Sequence, residues 1–88
     1  MSDTSTNQDS RVAVIAIIIE DPDSIDEVNS LLHSFREHII GRMGLPYREK
    51  GISLISIFVD APQPTISRIS GKIGQLKGVS AKTAYSNV

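Results

Sequence analysis

Two textures of apolar residue alternate along this chain: unbroken β-branched runs, and stripes at helical spacing. Residues 11–19 (Arg-Val-Ala-Val-Ile-Ala-Ile-Ile-Ile) predict a strand that is apolar on both faces. After the acidic turn Glu20-Asp21-Pro22-Asp23, Ile25, Val28, Leu31, Leu32 and Phe35 recur at the spacing of an amphipathic helix that runs to about Arg36. Its other face, Asp26, Asn29, Ser30, His33 and Arg36, is polar. Ser24, with Glu27 three residues on, reads as a capping box at the helix start. Residues 39–47 alternate instead, with Ile39, Met43, Leu45 and Tyr47 on one side and Ile40, Arg42, Gly44 and Pro46 on the other.

The second half repeats this order. Glu49-Lys50-Gly51 predicts a hairpin turn into residues 52–59, again apolar at both parities. Asp60-Ala61-Pro62-Gln63-Pro64 opens a second helix, with Gln63 or Thr65 as its cap. Ile66, Ile69, Ile73 and Leu76 lie at one constant offset from Ile25, Val28, Leu32 and Phe35. Lys77 and Gly78 predict the helix end, a basic last turn followed by a C′ glycine. Residues 79–86 then alternate as a fourth strand. The small separation of Gly71 and Gly74 on one helix face points to close helix packing.

Two β-α-β units in so short a chain share a single core, which predicts an α+β class: a ferredoxin-like βαββαβ sandwich. Pro46 and Lys82 mark the second and fourth strands as edges. With right-handed crossovers, the antiparallel sheet order becomes 4-1-3-2 and both helices cover one face. The domain is expected over residues 11–88, and the polar stretch 1–10 is expected to be a disordered tail.

An isolated sandwich of this kind should alternate on its central strands, because its second sheet face meets water. Here the central strands are apolar at both parities. That predicts a homo-oligomer, dimer or tetramer, packed through the open face, an edge, or both.

Composition narrows the chemistry. The chain has 88 residues, a formal net charge of −1 and no cysteine. Disulfides, thiolate zinc sites and iron–sulfur clusters are thereby excluded. No concentrated basic face marks a nucleic-acid binder, and residues 52–59 carry only one aromatic, Phe58, where an RNA-recognition strand needs several. The apolar run at residues 12–19 is too short to span a bilayer. A cytoplasmic protein without a membrane partner is expected.

His33 and His38 lack the further ligands that a metal site requires, so no metal is expected. No nucleophile stands in a recognisable catalytic context, and neither catalytic residues nor a cofactor are expected. The least generic stretch is Ile40-Gly-Arg-Met-Gly-Leu-Pro-Tyr-Arg48. Gly41 and Gly44 on a strand predict a bulge or a close backbone approach. Arg42 and Arg48 share a parity, so two guanidinium groups could face a common anion site at a subunit boundary; the bland reading is a pair of solvated edge charges.

These residues carry a resemblance. Residues 11–19 with their acidic turn, Ile40-Gly-Arg-Met-Gly-Leu-Pro-Tyr47, residues 52–59, residues 66–76 with Gly71, Lys72 and Gly74, and Gly78-Val-Ser-Ala-Lys-Thr83 resemble the iron-only hydrogenase system regulators, an ACT-like family. The Arg42-Met-Gly-Leu-Pro-Tyr47 string is the most specific part. The resemblance implies a ferredoxin-like oligomer with a regulatory role, and brings no ligand or catalytic residue with it. The turn at residues 20–24 has no glycine of the kind with which ACT amino-acid sensors cradle ligand. The DNA-binding segment, the cysteine and most of the metal histidines of the similarly folded nickel repressors are also missing, so direct DNA binding is not expected.

The function expected is a non-enzymatic regulatory module that self-associates and binds a small-molecule effector at a subunit interface. Arg42, Tyr47 and Arg48 are the first candidates for that effector, with Asn29 and Lys82 behind them. The alternative is a protein-interaction or assembly module with no ligand.

Overall fold

The computed structural model describes residues 10–87. Most of the expected tail lies outside them, but Ser10 does not belong to it. It is the first residue of strand β1 (Ser10–Ile19), paired with Pro62, and its hydroxyl donates to the Asp60 carboxylate. Helix α1 (Ile25–Ser34), strand β2 (Ile39–Tyr47), strand β3 (Ile52–Pro62), helix α2 (Gln63–Gly74) and strand β4 (Val79–Tyr85) follow in order. The sheet is antiparallel with spatial order β2-β3-β1-β4, the expected 4-1-3-2 read from the other edge.

The core lies between the sheet and the two helices. Ala13, Ile15, Ile17 and Ile19 of β1 and Ile55, Ile57, Val59 and Ala61 of β3 point into it. Val28 and Leu32 of α1 and Ile66, Ile69 and Ile73 of α2 complete it, with Ile25, Phe35 and Leu76 packed at its margin. The matched helical stripes are therefore the two halves of one helix layer.

Several local expectations change. Ser24 makes no capping bond to its helix; its buried hydroxyl donates instead to the Lys77 carbonyl at 2.6 Å, across the domain. Asp21 does the local work, accepting from the Asp23 backbone N–H at 2.9 Å to cap a short 3-10 turn. A long-range bond outcompetes a cap here, because the turn before α1 packs on the turn before β4. Helix α1 ends at Ser34, and residues 36–38 form a separate 3-10 turn. Asp60 to Pro62 extend β3 rather than opening α2, whose cap position is Pro62 and carries no side-chain bond.

Helix α2 stops at Gly74, before Lys77. Gly78 adopts φ 68°, and a Cβ there would lie 2.6 Å from the Asp21 Cβ. Its role is thus to let the two turns touch. Gly71 and Gly74 face open space, so close helix packing does not explain them.

Candidate functional site

Strand β2 is where local sequence and global geometry part company. Ile39 pairs with Val59, but Gly41 pairs with Phe58 and Arg42 with Ile57, so the register jumps across Ile40. This bulge reverses the parity for the rest of the strand. Ile39 stays on the helix side, whereas Met43, Leu45 and Tyr47, expected beside it, lie on the open face with Leu54 and Ile52. Gly41 sits at the bulge because a Cβ there would press on the Phe58 ring at 3.3 Å.

The same jump brings Arg42 under α1. Its Nη2 donates to Asn29 Oδ1 at 3.1 Å, joining two of the sequence-level candidates. Around them runs a cleft of about 450 Å³ between α1 and β2, lined by Asn29, Leu32, His33, Arg36 and Arg42 with the Ile39–Gly41 backbone turn. Arg36 Nη1 donates to the His33 carbonyl at 3.0 Å, which anchors a second guanidinium at this site. The remaining candidates lie elsewhere. Tyr47 is on the opposite sheet face, Arg48 opens the turn after β2, and Lys82 is on β4, level with Ala16 at the far side of the sheet.

The sequence marks His33 and Arg36 as polar positions of the first helix and weighs His33 only as a metal ligand, so neither stands among the effector candidates. Their place in the cleft was detectable in part, since Asn29, His33 and Arg36 recur at helical spacing. His38 lies beyond the helix, its Nε2 3.5 Å from the Glu37 carboxylate. Among the described residues, no three His, Cys, Asp or Glu side chains gather as metal ligands. No described helix is long and apolar enough to cross a membrane.

The open face is the second feature. Val12, Val14, Ala16 and Ile18 of β1, Leu54 and Phe58 of β3, and Met43, Leu45 and Tyr47 of β2 share it. Met43 is 67% exposed, Leu45 57%, Ile18 40% and Val12 39%. A shallow groove of about 280 Å³ crosses this surface between Ile18 and Ala16 on one side and Met43 and Leu45 on the other, floored by Leu54 and Ser56.

A four-stranded antiparallel sheet in this order, two helices on one face and an uncovered apolar second face define an ACT-like, ferredoxin-like module. Its kinship is specific. Residues 11–83 match the model of the TM1266-like family, described as "Iron-only hydrogenase system regulator, putative", and the chain belongs to that family. The solved structure of uncharacterized protein TM1266 from Thermotoga maritima superposes with a TM-score of 0.83 at 35% sequence identity, covering 86% of this chain and 96% of that one.

More distant structures share the fold alone. A formyltetrahydrofolate deformylase from Pseudomonas putida KT2440 matches with a TM-score of 0.64 at 11% identity, over 88% of this chain but 29% of the deformylase. An unknown protein from Galdieria sulphuraria gives 0.65 at 12% identity, over 90% of this chain and 46% of its own. No curated protein matches the sequence.

Proposed function

We propose that this chain is a non-enzymatic regulatory module of the iron-only hydrogenase system, acting as a homo-oligomer whose subunits meet through the open sheet face and respond to a small effector. One observation carries the self-association: strands β1, β2 and β3 present a continuous apolar surface with no charged side chain inside it. A surface of this kind in contact with water marks an interface. Its charges stand at the margins and are opposite in sign, Asp60 at the end of β3 and Lys82 on β4. A face that carries its own counter-charges suits a two-fold contact with another copy of itself.

Light scattering at micromolar protein concentration should report a dimer or tetramer, and Leu45→Lys should reduce it to a monomer that remains folded. A monomeric parent chain defeats the assembly reading. Thermal shifts against small metabolites separate a sensor from a ligand-free assembly module, for which the whole panel stays flat.

A further inference from the structure

The cleft between α1 and β2 has a chemical character that the chain as a whole lacks. The net charge is −1, yet the charged and titratable side chains lining the cleft are Arg36, Arg42 and His33, with no carboxylate. Among the described residues, neither arginine is ion-paired within 4.0 Å. Each is oriented by one neutral acceptor, Asn29 Oδ1 for Arg42 and the His33 carbonyl for Arg36, which leaves most of each guanidinium's five donors unspent. Guanidinium groups held this way favour oxyanions, with charge-assisted bonds stronger than neutral ones. The apolar part of the lining is Leu32, Ile39 and Ile40. The volume, about 450 Å³, is that of a small-molecule site.

We infer that this cleft binds a small organic anion, an oxyanion head group on a short aliphatic body, with the head group on Arg42 and Arg36 and the body against Leu32, Ile39 and Ile40. The lining also sets a preference. A zwitterionic amino acid would bring an ammonium group beside two guanidiniums, with no carboxylate in the lining to receive it. A plain carboxylate of the same shape avoids that repulsion. The site lies on the helix side of the sheet, so it is spatially separate from the apolar face. This inference deepens the effector half of the proposed function and is independent of self-association.

The test is a titration of the isotope-labelled chain with isovalerate, valine and inorganic phosphate, followed by amide and guanidinium NMR resonances. Isovalerate should shift Ile40, Gly41 and Arg42 saturably. Valine and phosphate should bind roughly tenfold more weakly, the first for its ammonium group and the second for want of an apolar body. Arg42→Gln and Arg36→Gln should each weaken isovalerate by roughly tenfold, while Arg68→Gln, an exposed arginine of α2 outside the cleft lining, leaves it unchanged.

The inference is overturned if isovalerate produces no saturable shift, if valine binds as tightly, or if Arg68→Gln acts as strongly as Arg42→Gln. Dispersed spectra of each variant establish that it is folded. Leu45→Lys distinguishes the two proposals. Binding retained in a monomer upholds the cleft whatever becomes of the assembly; an oligomer with an inert cleft does the reverse.

Discussion

The two faces of this sheet are built from the same residues and live in different environments. On β1, Ile15, Ile17 and Ile19 are sealed beneath the helices, whereas their neighbours Val12 and Ile18 stand about two-fifths exposed. Side-chain chemistry does not distinguish them. What differs is that the chain supplies two helices to cover one face and nothing among its described residues to cover the other. Apolar surface on the first face is explained by the fold; on the second it calls for a partner outside the fold.

The largest effect that should sharpen this contrast is Ile17→Ala. It removes a side chain that is 1% exposed and packed between the sheet and α2, and should lower unfolding free energy by about 2–5 kcal/mol in urea denaturation, at any protein concentration. A cost well below that range would mean the covered face is poorly packed.

Next comes Gly78→Ala, at the rim of the covered side. Alanine would meet both a positive φ and the Asp21 Cβ, so the seam made by the Glu20 N–H to Gly78 carbonyl bond at 2.7 Å should open, at about 2–3 kcal/mol. Gly51→Ala, with φ 67° but open space around it, is the control and should cost less in the same urea denaturation. Equal losses would mean that backbone strain alone, and not the contact between turns, explains Gly78.

The smallest effect tests the other face. Ile18→Ala should cost under about 1 kcal/mol in dilute protein, where nothing covers it, with a penalty that grows as protein concentration rises and copies associate. A penalty as large as that of Ile17→Ala at every dilution would break the comparison.

Strand β2 shows where reading the chain stopped being sufficient. Alternation located the strand to the residue, from Ile39 to Tyr47. Yet alternation groups Ile39 with Met43, Leu45 and Tyr47, which the bulge sends to the opposite face. A bulge inserts one residue without changing composition, so periodicity cannot see it unless a glycine hints at it, as Gly41 does. The candidate site depends on the same parity. Of five candidates, Asn29 and Arg42 meet at 3.1 Å, while Tyr47, Arg48 and Lys82 are dispersed by the sheet's parity and by distance along it. His33 and Arg36 join the cleft because the end of α1 and the 3-10 turn after it lie beside the start of β2, a fact of packing rather than of spelling.

The chain alone was enough to establish the element order, the paired helical stripes, the edge positions of β2 and β4, and hence the sheet order and family. These depend on local periodicity and on topological rules that leave few alternatives. Only the folded arrangement decided which parity of β1 and β3 is buried, that Ser24 bonds Lys77 instead of its own helix, and that Arg42 turns towards α1. Each of those depends on contacts between residues far apart in sequence, where a shift of one position exchanges the inside of the sheet for the outside.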